Sequence, residues 1–292
     1  MKPKLAISFS GGRTSAYMTK VCVDKYGETH DIKIVFANTG AEHENTLDFI
    51  RKCDDHFGFG TVWLEAVVGG AGVGIRHRVV NFASASRNGE PFESYIRKHG
   101  IPNAALPQCT SRLKTEVMER FLKGCGFVRG KGLNYSTAIG IRADEMDRMS
   151  KCAKAERFVY PLIGMGTTKA DVLKFWRSMP FDLDLPGEHY GNCVTCWKKS
   201  TRKLMTIAVE DPSRFDFFRR MEKEHRKTKC ATSSGRVFFR QETSVEDIFE
   251  MARFPFHKYT DAEPPDMEQG TFSELLDVGS SCGESCEIGA DE

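Results

Sequence analysis

"LAISFSGGRTSAYM", residues 5–18, is the stretch on which the reading of the fold turns. An apolar run gives way to a hydroxyl-rich glycine turn, and a helical pattern follows. A turn that leaves a strand and opens a helix presents unpaired backbone N–H groups and the positive end of the helix dipole, a ready anion site. Gly11 and Gly12 permit an approach to the backbone that a Cβ would block. Ser8, Ser10, Thr14 and Ser15 add hydroxyls, and Arg13 adds a cation. The Walker pattern G-x-x-x-x-G-K-[ST] occurs nowhere, and "GCGFVRGKG" at 124–132 has the glycines at the wrong spacing. A plain strand–helix turn reads the same way, so the surrounding segments have to decide.

"KLAISFS" reads as a buried strand and "TSAYMTKVCVDKYG" as a helix closed by Gly27. "DIKIVFANTG" is a second strand ending in a polar turn. "NTLDFIRKCDDHFG" has helical spacing at Leu47, Ile50, Cys53 and His56, and "TVWLEAVV" is a third strand. This alternation predicts an α/β fold, a parallel sheet with right-handed crossovers and helices on both faces. Ligands then bind beyond the carboxyl ends of the strands, where "SGGRTS" and "NTGAE" both fall. Residues 69–107 have little periodicity and read as a long insertion over that face, with a short helix at 93–99. "SRLKTEVMERFLKGCG" is an amphipathic helix, "NYSTAIGIRADEMDR" a strand into a charged turn, and "TKADVLKFWRSM" another helix.

These elements predict an α/β domain over 1–184. A helical, cysteine-containing region over 185–259 follows, then an extended acidic tail over 260–292. Within the second region "GNCVTCWKKSTRKLMTIAVEDPSRFDFFRRMEKEHR" reads as helical and "GRVFFR" as a short strand. With 42 basic and 40 acidic residues, the net charge of +2 creates no global field that demands a nucleic-acid partner. No apolar run approaches a membrane span and the chain enters a strand directly, so a cytoplasmic protein with no membrane partner is expected. Its ten cysteines are then reduced, and metal binding or catalysis competes with burial.

"SFSGGRTS" resembles the SGG-x-[DT]-S pyrophosphate loop of the PP-loop (adenine nucleotide alpha hydrolase-like) enzymes. Within that superfamily the chain is most similar to the phosphoadenosine phosphosulfate (PAPS) reductase family. "VFANTGAEHENTLDFI" is similar to that family's DTG-x-E-x-x-E-T segment, with Asn38 in place of Asp. "CTSRLKTE" at 109–116, "IGIRADE" at 139–145 and "YPL" at 160–162 follow in the family's order. The resemblance implies an adenine nucleotide, ATP or PAPS, lying across the strand ends with Mg²⁺. Ser10, Gly11, Gly12, Thr14 and Ser15 would hold its phosphates, with Ser8 and Arg13 in the same turn. Asn38, Thr39, Gly40 and Glu42 would lie near the nucleotide, and Lys114 and Arg142 would meet phosphate or sulfate charge. Cys109 would be catalytic with them.

"GNCVTCWKK" sets Cys193 and Cys196 at a spacing that suits a redox pair, half a zinc site or part of an iron–sulfur site. Relatives that carry a [4Fe–4S] cluster use positions like these and that of Cys109. The resemblance therefore implies a cluster on Cys109, Cys193 and Cys196, with Cys282 or Cys286 as fourth ligand or an open iron; Zn²⁺ is the competitor. Lys198, Lys199, Arg202 and Lys203 are expected to lower the thiol pKa values, or simply to face solvent. Cys22 and Cys53 fall on apolar helix faces and are expected in the core.

Three activities fit these motifs. In one, ATP is split with release of pyrophosphate, and sulfur passes to a nucleic acid or small molecule, with a cysteine desulfurase as partner. In another, a thioredoxin-like partner supports reduction of PAPS or adenosine phosphosulfate. In the third, a metal-stabilised module binds nucleic acid through "CWKKSTRK" and "FFRRMEKEHRK" without catalysis.

Overall fold

The computed structural model describes residues 2–70, 72–230 and 232–261. Its centre is a six-stranded sheet in the order β4-β3-β2-β1-β5-β6. The strands are β1 (Lys4–Ser8), β2 (Asp31–Asn38), β3 (Val62–Val68), β4 (Ile75–Val80), β5 (Tyr135–Ala138) and β6 (Phe158–Val159). All neighbouring pairs run parallel except β3 with β4. The α/β architecture expected from the alternating pattern is therefore present.

Side chains alternate across a strand, so the two faces of the sheet separate cleanly. Leu5, Ile7, Ile34, Phe36 and Trp63 enter one core. Their neighbours Ala6, Val35, Ala37 and Leu64 enter the other. The first face is covered by α1 (Arg13–Tyr26), α2 (Glu44–Phe57) and residues of α6 (Lys169–Arg177). Buried Trp176 of α6 donates its Nε1–H to the Arg13 carbonyl (3.0 Å), which fixes the start of α1. The second face carries α3 (Glu90–His99) and α4 (Glu116–Gly124), while the four-residue α5 (Pro161–Gly164) leads into α6. It also carries α7 (Thr201–Glu210), α8 (Asp216–His225) and α9 (Val245–Ala252), whose Leu204, Phe218 and Ile248 share a core with the sheet.

Three local expectations need correction. The 69–107 segment is not merely an insertion, because β4 pairs antiparallel with β3 over Ile75 to Val80 and α3 starts at Glu90. As an edge strand, β4 buries Ile75 and carries Arg76, His77 and Arg78, so no apolar alternation betrays it. "GRVFFR" is not a strand; Val237, Phe238 and Phe239 are buried in irregular chain. The Glu222 carboxylate replaces a ladder there, accepting from Phe238 N (3.0 Å) and Val245 N (2.9 Å). Residues 193–200 run as turns, and the helix begins only at Thr201, capped by Ser200. Most of the expected acidic tail, with Cys282 and Cys286, lies outside the described residues.

Candidate functional site

Beyond Ser8 the chain leaves β1 and turns through Gly11 and Gly12 into α1. Gly11 has φ +84°, and a Cβ there would lie 2.7 Å from Thr46 Cγ2 and 2.9 Å from Ile50 Cδ1. Only glycine fits this backbone and this space. No side chain caps α1 and no acid stands in its first turn, so its positive end is uncompensated. A cleft of about 490 Å³ opens there, lined by Ser10, Gly11, Gly12, Arg13, Thr46 and Asn192 among others. Thr46 is 3% exposed, and its hydroxyl has no hydrogen-bond partner among the described residues. Leaving such a group unserved is costly, and the residue that carries it stands on the cleft wall.

The rest of the turn is held by its own side chains. Ser10 Oγ donates to Ser15 Oγ (2.9 Å), which donates to the Gly12 carbonyl (3.0 Å). Arg142, from the loop after β5, donates to Thr14 Oγ1 (3.0 Å) and is braced by Asp144 (2.9 Å). The structure thus brings Arg142 to the turn. Arg13 instead spends its fork on Asp182 (2.7 and 3.2 Å) and the Leu183 carbonyl (2.7 Å), tying the 182–183 segment to the cleft wall.

The second motif sits at the end of β2 and divides its labour. Asn38 is fully buried and serves the scaffold: its amide donates to Glu65 (2.7 Å) and the Ser86 carbonyl (2.8 Å), and its oxygen accepts from Gly40 N (3.2 Å). Thr39 and Glu42 build a different centre. The Glu42 carboxylate accepts from Thr39 N (3.0 Å) and Thr39 Oγ1 (2.8 Å). Cys193 pairs with Glu42 through an isolated antiparallel bridge, and Val194 N donates to the Ala41 carbonyl (3.0 Å). The Cys193 sulfur then lies 3.5 Å from Thr39 Oγ1 and 3.9 Å from Glu42 Oε1, with Lys114 Nζ 3.8 Å from the same oxygen.

Burial, then the Glu42 charge, push the Cys193 thiol far above its ordinary pKa, against Lys114. The expectation that neighbouring lysines lower this thiol is corrected for Lys199. That residue is 4% exposed and donates its ammonium to the carbonyls of Gly191 (2.8 Å), Cys193 (2.8 Å) and Val194 (2.9 Å). Through these carbonyls it staples the cysteine loop.

Cys109 is half-buried against the larger core. Burial, and after it the Cys109 charge, push the Tyr95 phenol up to about 12. Two buried donors have no partner among the described residues, Tyr95 Oη and Trp197 Nε1. Donors of this kind suit the sulfur atoms of a metal–sulfur group, so the residues present fit one. A tetrahedral zinc would need its sulfurs drawn to about 3.8 Å from one another. Among the described residues, the group with three ligand atoms all within 4.8 Å is Glu93, Glu224 and His225, not the cysteines. Cys22 and Cys53 are buried core residues, as expected.

Thr46, Thr195, Tyr95 and Asp182 did not stand out in the sequence, and Trp197 did so only as the aromatic of "CWKKSTRK". Among the others Thr46 alone had a signal, since it closes the "NTGAEHENT" segment.

A second, larger cleft of about 1010 Å³ begins where the first ends along the chain. Asn192 lines the first; Val194 and Thr195, with Glu42, line the second; Cys193 lies between.

No family model matches the chain, and no solved structure does. Two Methanocaldococcus jannaschii proteins, "Uncharacterized protein MJ0973" and "Uncharacterized protein MJ0066", are 28% and 24% identical over 40% and 42% of this chain. Those matches span only 22% and 20% of the archaeal proteins. The "Uncharacterized nin region protein ORF290" of Escherichia phage lambda is 32% identical across 97% of this chain and 94% of its own length. Similarity at that level over nearly all of both chains settles kinship: the chain belongs to the family of the phage lambda nin region protein ORF290.

Proposed function

We propose that this protein is a PP-loop enzyme of sulfur chemistry that binds ATP with its phosphates in the 10–15 turn. The observation that carries the reading is the unserved Thr46 hydroxyl in a cleft beneath an obligate glycine, at a helix start with no capping side chain. Pyrophosphate is the group such a site suits, because the turn supplies N–H donors and the helix end supplies positive potential. In the reaction proposed, an acceptor oxygen attacks the α-phosphorus and pyrophosphate leaves with Mg²⁺. A sulfur nucleophile then displaces AMP from the activated atom. Arg142, braced by Asp144, meets charge that develops on the phosphates.

Cys109, Cys193 and Cys196 would hold the iron–sulfur group, with Cys282, Cys286 or an open position completing it. Bound there, it supplies a carrier for the transferred sulfur. The chain's own contribution is to keep the Cys193 loop in register, through Lys199 and the Glu42 bridge, one residue from each cleft.

Incubating anaerobically purified protein with ATP or PAPS separates this reading from the reductase. Pyrophosphate release with ATP and an acceptor is expected. Sulfite release from PAPS or adenosine phosphosulfate with thioredoxin would make it a reductase instead. A folded protein that binds neither nucleotide contradicts both.

A further inference from the structure

We infer that the second cleft is the acceptor site and takes single-stranded nucleic acid, one base against Phe217 and a phosphate against Arg214 and Arg220. The inference rests on the nucleotide reading of the first cleft for its role as acceptor, but its physical basis is separate.

Phe217 is built to present a ring. On one side it lies against Gly89, where a Cβ would come within 2.4 Å of its Cε2. Phe92 and Phe218 pack around it at 5.7 and 5.2 Å between centroids. It remains half-buried on the cleft wall, with the Arg220 guanidinium 5.7 Å from its centroid. A phenyl ring flanked by a guanidinium is a platform on which any base can stack.

The phosphate position follows from an excess of donors. His43 Nδ1 accepts from Asn45 N (3.1 Å) as the cap of α2, so the neutral ring carries its proton on Nε2. That nitrogen stands 3.2 Å from Arg214 Nη2, which also carries only protons. Two donors therefore face each other, one on a histidine only 6% exposed. A phosphate oxygen at Arg214, which lines the cleft, gives the guanidinium an acceptor in place of that opposed donor.

Arg214 is oriented by Asp211 (2.8 Å) and Arg220 by Glu93 (2.7 Å), contacts that use only part of each five-donor fork. On the cleft floor the buried Thr195 hydroxyl has no partner among the described residues. Lys223 and Lys227, three and seven residues beyond Arg220, carry the cations along and just beyond α8, with Glu224 among them, which extends the surface past a single nucleotide. That extension favours a strand over a small anion.

The test is fluorescence anisotropy with a labelled single-stranded oligonucleotide of about ten nucleotides, at low and moderate salt, beside ATP titrations. Arg220→Ala and Phe217→Leu are each expected to weaken oligonucleotide binding about tenfold or more while ATP affinity stays unchanged. Saturating ATP is expected not to displace the strand. Should Phe217→Leu fail to fold, Arg220→Ala carries the comparison, since its side chain is exposed. The inference is overturned by unaltered affinity in the variants, by displacement with ATP, or by a mononucleotide binding as tightly as the strand. It is also overturned if the folded protein binds ATP and no oligonucleotide. Strand binding without ATP binding supports the site and defeats the nucleotide reading instead.

Discussion

Thr46 is the residue at which fold and function pull apart. A buried hydroxyl without a partner is a liability to the folded chain, and replacing it with an isosteric methyl removes the liability. Thr46→Val is therefore expected to leave the melting temperature unchanged or raised, while weakening ATP binding about tenfold, the equivalent of one hydrogen bond. Calorimetric titration beside a thermal melt checks both halves. A variant that loses stability and keeps its ATP affinity would make the hydroxyl structural. At this scale the sequence was legible where the backbone itself dictates residue type, as with Gly11. It was not legible where a polar side chain could turn either way. Asn38 and Arg13 stand in motif positions, yet one clips β2 to β3 and the other holds Asp182. Nothing local in the sequence distinguishes a ligand-facing amide from a scaffold-facing one.

The cysteine loop between Gly191 and Ser200 has little regular structure of its own, so its shape depends on Lys199 and on the Ala41–Glu42 backbone. Removing a buried ammonium from three carbonyls leaves all three in want of a donor. Lys199→Met is expected to destabilise the protein by about 3 kcal/mol, read from the shift in its urea midpoint. The same variant is expected to speed labelling of Cys193 by a thiol reagent in the native state. Unchanged labelling would mean that the Glu42 bridge holds the loop unaided.

Strands with apolar runs and helices with caps were readable because their burial repeats with a period. β4 was hidden because an edge strand needs few apolar residues. The 237–239 segment misled in the opposite sense: its apolar residues are buried, but a carboxylate from α8 replaces the neighbouring strand.

Across the whole molecule, two buried histidines couple stability to pH. Burial lowers the pKa of both His43 and His189 below 6.5, outweighing the Glu210 contact in the case of His189. The unfolded chain then binds more protons than the native one just below that value. Their contribution is complete above about pH 6.5 and declines as pH falls through their native pKa values. Glu222, raised by burial, works in the opposite sense: its contribution is complete below its unfolded value and is lost as pH rises through its native one. Urea midpoints between pH 7.5 and 5.5 are thus expected to fall less steeply in His43→Asn, which keeps a capping acceptor for α2 while removing one titrating ring. An identical slope in the variant would remove His43 from the account.

The turn that follows β1 is where ATP is expected to bind. Isothermal titration of ATP with Mg²⁺ into the wild-type protein and into Gly11→Val tests it most directly. Wild type is expected to bind, with inorganic pyrophosphate competing, and the folded variant to lose at least about a hundredfold in affinity, because its backbone and Thr46 must both move. Equal affinity in the two proteins, or a folded wild type to which ATP does not bind, would contradict the account.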